Sequence, residues 1–127
     1  MFDVEKEELV RTFIEAYNAF DIGSMLSVLH PDIEFTNISG GAITARACGR
    51  HEFERLARRS AEMFRTRSQS IRSLRMEGGK VIAEIDFEAV PAVEIPGGPG
   101  SDERISLKGT SEFMFEDGLI RSIRDES

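Results

Sequence analysis

The sequence has few of the residues on which several common protein classes depend. It contains one cysteine, Cys48, no tryptophan, and only two histidines, His30 and His51. A single cysteine excludes an internal disulfide and is typical of a reducing compartment. Neither histidine belongs to a cluster with the spacing of metal ligands, so the sequence predicts no metal site and no cofactor.

Long apolar runs and a net positive charge are also missing. No stretch has the length of a membrane span, and Met1 to Glu8 is acidic rather than a basic and then apolar leader. We therefore expect a cytoplasmic protein without membrane contact. The formal net charge of -7 argues against non-specific binding to nucleic acid. A basic band from Arg46 to Arg75 is interpreted as mainly a solvated helix face.

The most regular pattern lies near the end of the chain, between Lys80 and Asp125. Apolar and polar residues alternate from Lys80 to Val90 and again from Arg104 to Glu116. Asp117-Gly118 then predicts a tight turn into a last strand, Leu119 to Asp125. The alternation predicts a sheet with one apolar and one charged face. Because an apolar sheet face must be covered, the helices that precede it are expected to pack on it.

The rest of the chain predicts three helices, three more strands and one long loop. The first helix is predicted from Asp3 to near Phe20, and the second from Asp21 to just before His30-Pro31. The third is predicted from Gly49-Arg50 to near Arg65. The strands are Asp32 to Ile38, Ala42 to Ala47, and Thr66 to Glu77, the last with a bulge because its apolar residues do not alternate strictly. Gly78-Gly79 joins that strand to the next. The loop from Pro91 to Asp102 has the length of loops that border binding sites.

This order of elements resembles the SnoaL-like branch of the nuclear transport factor 2-like superfamily. The resemblance is carried by Phe13 to Leu29, Pro31 to Phe35, Gly49-Arg50 and Phe113 to Ile120, and it covers almost the whole chain. It implies one domain, residues 1–127, with an α+β cone fold in the order α-α-β-β-α-β-β-β-β. In that fold a curved mixed or antiparallel sheet wraps around three helices and leaves a pocket between them.

The resemblance does not decide whether the chain is an enzyme. Ketosteroid isomerases of similar fold use a Tyr on the first helix, an Asp base on the first strand and a second Asp on a late strand. Here Phe13, Asn37 and Ser111 occupy those positions. Because neither Phe nor an amide can act as a proton donor or base, this arrangement does not support proton abstraction next to a carbonyl.

Two other catalytic sets are found in proteins of similar fold. SnoaL-type polyketide cyclases combine an acid with a His near the pocket, which makes Asp32, with His30 or His51, a candidate set. Epoxide hydrolases of similar fold need an Asp-Arg-Asp network, and although Arg46 is expected to point inward, no two acids can be placed beside it. Cys48 is expected to be a small buried residue rather than a nucleophile.

An apolar pocket with few polar groups remains the main functional prediction. Its expected ligand-contacting residues are Phe13, Tyr17, Phe35, Asn37, Phe53, Ser60, Phe64, Phe87, Ser111 and Phe113. Such a lining suits a small, mostly apolar or aromatic molecule. Two alternatives stay open: a cyclase-like lyase or isomerase that uses a pocket carboxylate and a His, and a non-catalytic interaction module. We also expect a homodimer through the outer sheet face, around Glu84, Asp86, Lys108, Glu112 and Met114.

Overall fold

A computed structural model describes residues 1–95, 98 and 100–127. Residues 96, 97 and 99, which belong to the predicted loop, lie outside the described residues. The elements within the described residues are α1 (Asp3–Asn18), α2 (Ile22–Ser27), β1 (Leu29–Ser39), β2 (Ala42–Cys48), α3 (Arg50–Met63), β3 (Phe64–Glu77), β4 (Lys80–Pro91), β5 (Ile105–Glu116) and β6 (Leu119–Glu126). The predicted α+β class and order of elements are confirmed.

The six strands form one curved mixed sheet in the order β2-β1-β6-β5-β4-β3. All neighbouring pairs are antiparallel except β1 and β6, which run parallel. The predicted bulge in β3 is confirmed, since the register with β4 shifts between Ile71 and Ser73. The last strand in sequence therefore lies inside the sheet, between β1 and β5.

Helix α1 packs one apolar stripe on the inner face of this sheet. Its buried residues are Val10, Phe13, Ile14 and Ala16, spaced as on one side of a helix. They join a core to which the strands contribute Leu29, Ile33, Val81, Phe113, Ile120 and Ile123. Burying each large aliphatic side chain contributes about 2 kcal/mol. Within the described residues, no helix combines the length and the apolar character needed to cross a bilayer.

The C-terminal end of α1 has an unusual residue at its turn. The Phe20 N–H donates to the Tyr17 carbonyl (3.1 Å) and the Asp21 N–H donates to the Ala16 carbonyl (2.9 Å). This is the bonding pattern of a Schellman motif, whose left-handed residue is usually Gly. Phe20 occupies it with φ of 57°, a conformation that costs a bulky residue about 1 kcal/mol or more. The turn directs the Phe20 ring toward β3, as described below.

The outer face of the sheet carries the carboxylates that the alternation predicts there. Asp86 forms ion pairs with Lys108 (3.1 Å) and with Arg72 (2.8 Å), and Glu112 pairs with Lys80 (2.6 Å). The hydrogen bond from Lys108 lowers the pKa of Asp86. The predicted inner and outer faces of β4 and β5 are therefore assigned correctly.

Several local predictions were wrong. His30-Pro31 lies inside β1 rather than at a helix end, because Pro31 falls where β1 makes no ladder pairs and its missing N–H is tolerated. Helix α3 ends at Met63, and β3 follows at once. On the edge strand β2, Ala47 is the buried residue, so its neighbours Arg46 and Cys48 point outward and are exposed.

Candidate functional site

A cavity of about 510 Å³ lies between the sheet and helices α1 and α3. Nine of the ten residues predicted to contact a ligand line it: Phe13, Tyr17, Phe35, Asn37, Phe53, Ser60, Phe64, Phe87 and Ser111. The tenth, Phe113, is instead buried in the core, where its ring packs edge-on against Phe13 at a centroid distance of 6.3 Å. It supports the cavity wall from behind.

Aromatic rings form most of that wall. Phe53 packs against Phe13 and Phe35, with ring centroids 6.1 and 5.6 Å apart, and Phe64 packs edge-on against Phe87 at 6.0 Å. Such tilted and edge-to-face contacts hold each ring in a fixed orientation. The wall is thus a preformed apolar surface, which suits a flat or compact apolar ligand.

A row of three polar residues crosses the sheet at the base of the cavity. Asp125 on β6 lies opposite Asn37 on β1 and opposite Ser111 on β5. All three line the cavity, and the Ser111 hydroxyl donates to Asp125 Oδ1 (2.6 Å). On the β1 side of the row, Asn37 Nδ2 donates to the Thr44 hydroxyl of β2 (2.7 Å), and this bond holds the Asn37 amide in place.

Asp125 is not among the residues that the sequence predicted for the site. The last strand was expected only to pair with β5, and carboxylates on strands were expected on the outer face. The signal that could have found it is the two-residue spacing from the buried Ile123, since residues two apart in a strand share a face. Asn37 and Ser111 occupy the positions at which ketosteroid isomerases carry their two aspartates. Asp125 lies between them and places a carboxylate in the same region.

The surroundings of Asp125 change its acidity. Burial raises its pKa from 3.8 to about 6, although the hydrogen bond from Ser111 acts in the opposite direction. The group therefore exchanges its proton close to neutral pH. A carboxyl group with such a pKa can both accept and return a proton at physiological pH.

A buried arginine lies elsewhere in the cavity lining. Arg67 is only 5% exposed, and its guanidinium carbon lies 3.8 Å from the centroid of the Tyr17 ring and 4.3 Å from that of Phe20. Its Nε donates to the Tyr17 carbonyl at the end of α1 (3.0 Å), and its Nη1 donates to the Ser60 hydroxyl (3.4 Å). The arginine excess was interpreted as a solvated helix face, so Arg67 is an exception that the sequence did not reveal.

Helix α1 also fastens this part of β3 directly. Asn18 Nδ2 donates to the Gln69 carbonyl (3.0 Å), and the Gln69 N–H donates to Asn18 Oδ1 (2.7 Å). Tyr17, one residue earlier, has a pKa raised to about 12, mainly by burial, so its hydroxyl stays protonated at neutral pH. The cavity thus contains a cation, a neutral phenol and a carboxyl group of raised pKa.

The predicted set of Asp32, His30 and His51 does not come together at the cavity. Asp32 and His51 are exposed, and none of the three lines the cavity. His30 is buried beside the β5–β6 turn, with Nε2 3.3 Å from Asp117 Oδ2.

His30 also approaches Glu116 and Asp117 closely enough to suggest a metal site. However, the Asp32 N–H donates to His30 Nδ1 (3.0 Å). The neutral ring therefore carries its proton on Nε2 and donates it toward Asp117, which leaves no lone pair on Nε2 for a metal. The arrangement ties β1 to the turn.

Known proteins share both the sequence pattern and the fold. The family described as the SnoaL-like domain matches residues 10–123. Among solved structures, TsrD from Streptomyces laurentii is 28% identical, with a TM-score of 0.82 over 99% of this chain and 90% of that one. No curated protein sequence gives a significant match.

Two further solved structures share the fold at lower identity. A protein described as a SnoaL-like polyketide cyclase, from Shewanella denitrificans, is 17% identical, with a TM-score of 0.83 over 98% of this chain and 90% of that one. An LEH-like epoxide hydrolase from M. tuberculosis is 20% identical, with a TM-score of 0.77 over 97% and 82%. These similarities establish the nuclear transport factor 2-like cone fold and no particular activity.

Proposed function

This chain belongs to the SnoaL-like domain family, and we propose that it binds a small, mostly apolar or aromatic molecule in its cavity and transfers a proton on that molecule through Asp125. The observation that carries this proposal is a carboxyl group with a pKa of about 6 in the wall of an apolar cavity of about 510 Å³. Family members share a fold but not one reaction, so the site must carry the argument.

The position of Asp125 suits a general base. Ser111 holds one carboxylate oxygen, and within the described part of the chain no hydrogen bond reaches Oδ2. That oxygen is free to take a proton from a carbon next to a ligand carbonyl. The electron pair of the broken C–H bond moves into an enolate. In an isomerisation, Asp125 returns the proton to a different carbon of the conjugated system. In an aldol-type cyclisation, the enolate carbon attacks a second carbonyl of the ligand, and Asp125 returns the proton to the alkoxide that forms. The reaction class is an isomerisation or an aldol-type cyclisation.

An enolate also needs a hydrogen-bond donor or a positive charge. The Tyr17 hydroxyl, which keeps its proton at neutral pH, and the guanidinium of Arg67 supply these groups in the same cavity. Because the walls are apolar, such interactions are stronger there than in water.

The proposal keeps one part of the cyclase-like alternative and drops another. A pocket carboxylate is present, but it is Asp125 rather than Asp32, and neither histidine lines the cavity.

The interaction-module alternative has less support from the outer sheet face. Its charged residues pair within the chain, as Asp86 does with Lys108, and Met114 is its large exposed apolar residue. Dimerisation through this face and a cytoplasmic location stay predictions.

Hydrogen exchange in an enolisable ketone tests the proposed function. The probe is 2-tetralone in D₂O, and its deuterium uptake is followed by NMR with wild type, Asp125→Asn and Asp86→Asn. Asp86→Asn is a matched control, because it removes a carboxylate from the outer face. We expect wild type and the control to accelerate exchange and Asp125→Asn to lose about 100-fold or more of that acceleration. Exchange by Asp125→Asn at the wild-type rate would refute the role of Asp125.

A further inference from the structure

We propose that Arg67 binds an oxyanion of the ligand, so that this cavity binds apolar or aromatic acids, such as keto acids, more tightly than neutral compounds of the same shape. This inference rests on the proposed function, because it assumes that the cavity is the ligand site. It adds the charge class of the ligand, which the apolar lining alone does not determine.

The first observation is that Arg67 is a buried cation without a counter-ion. Among the described residues, no carboxylate lies within 4.0 Å of its guanidinium nitrogens. Its Nη2 is buried and has no hydrogen-bond partner in the same set of residues. Buried charges in proteins are normally paired, and an arginine has five N–H donors to satisfy. Within the described residues, Arg67 therefore has neither a counter-ion nor a full set of hydrogen-bond partners.

The second observation is that neutral groups hold the guanidinium in place. The Tyr17 carbonyl and the Ser60 hydroxyl accept its hydrogen bonds, and the rings of Tyr17 and Phe20 lie close to it. Phe20 reaches this position through a left-handed backbone conformation that few bulky residues adopt. Backbone strain of this kind is frequently found at binding sites. These contacts orient the cation but leave its charge uncompensated.

The third observation is that the cavity carboxylate is not the missing partner. Asp125 lines the same cavity but makes no ion pair with Arg67, and its described hydrogen bond is to Ser111. Tyr17 lies near both groups, since the charge of Arg67 lowers its pKa and that of Asp125 raises it. A ligand can therefore place an oxyanion at Arg67 and a reactive C–H group at Asp125. Bidentate pairing with a carboxylate is the contact that a guanidinium fork favours.

A pair of probes of the same shape and different charge tests this inference. Binding of 2-naphthoate and 2-naphthamide is measured by isothermal titration calorimetry at pH 7.5. The proteins are wild type, Arg67→Gln and Arg72→Gln, the last being a control on the outer face of the same strand. We expect wild type and Arg72→Gln to bind the carboxylate at least tenfold more tightly than the amide, and Arg67→Gln to lose this preference.

The possible outcomes separate this inference from the proposed function. If wild type binds both probes equally, the inference is wrong and ligand binding in the cavity stands. If wild type binds neither probe, both are wrong. If Arg67→Gln fails to fold, the NMR signal of the Arg67 Nε–H group in wild type is measured with each probe instead. A shift of this signal with 2-naphthoate but not with 2-naphthamide supports the pairing. No shift with either probe overturns it.

Discussion

Replacing Asp125 with Asn is expected to stabilise the protein near neutral pH. Burial raises the pKa of Asp125 from 3.8 to about 6 in the folded state. Between these values the folded state binds more protons than the unfolded state, so the contribution of this group to stability decreases as the pH rises. A pKa raised by this amount corresponds to about 3 kcal/mol, which is the cost of keeping the carboxylate buried above pH 6. Asn has the same shape, can still accept the hydrogen bond from Ser111, and carries no charge.

Urea denaturation at pH 7.5, 6.0 and 4.5 measures this effect. At pH 7.5 we expect the free energy of unfolding of Asp125→Asn to exceed that of wild type by up to about 3 kcal/mol. Most of this difference should disappear at pH 4.5, where the Asp125 carboxyl of the folded wild type is already neutral. The difference between the two proteins isolates Asp125, because all other carboxylates titrate in both.

Asp86→Asn is the matched control for this experiment. The hydrogen bond from Lys108 lowers the pKa of Asp86, so its carboxylate stabilises the folded state above the unfolded pKa and loses this effect as the pH falls. We therefore expect Asp86→Asn to be less stable than wild type at pH 7.5, with the opposite sign to Asp125→Asn. A stability difference for Asp125→Asn that does not grow between pH 4.5 and pH 7.5 would refute the reasoning.

Three further predictions concern packing, strain and tautomer. Leu29 is 0% exposed, so Leu29→Ala should lower the free energy of unfolding, measured by urea denaturation, by about 3 kcal/mol. Ile43 is 58% exposed, so Ile43→Ala should change it by less than about 0.5 kcal/mol. Phe20→Gly should be more stable than Phe20→Ala by about 1 kcal/mol, because Gly adopts positive φ without strain; equal stability would contradict this. Nitrogen-15 NMR should show the neutral His30 ring protonated on Nε2 and unaffected by Zn²⁺, and Zn²⁺-induced shifts would disprove this assignment.

The parts of the fold that the sequence predicted well depend on local patterns. Alternation in the two long strands placed Asp86 and Glu112 on the outer face, where both form ion pairs. The apolar stripe of α1 predicted the helix and its buried side. In these cases neighbouring residues alone decide which face is buried, so one sequence is enough.

Two charged residues of the cavity lining, Asp125 and Arg67, were not predicted from such local patterns. Asp125 is half-buried in the cavity lining because β6 pairs in parallel with β1, a contact between distant parts of the chain. In β6 the buried Ile120 and Ile123 are three residues apart, which interrupts the alternation that would have placed Asp125 inside. Arg67 belongs to a polar run whose burial depends on Tyr17 and Phe20 from another element. Sequence patterns assign charged residues to the surface by default, and here tertiary packing overrides that assignment.

The pKa of Asp125 tests the central claim most directly, because it reports whether this carboxyl group lies in a water-poor ligand cavity. It is measured by ¹³C NMR of the side-chain carboxyl during a pH titration, with the resonance assigned by its loss in Asp125→Asn. We predict a pKa of about 6 in the free protein, raised further when 2-naphthoate fills the cavity. A pKa near 3.8 that the probe does not change would contradict the account.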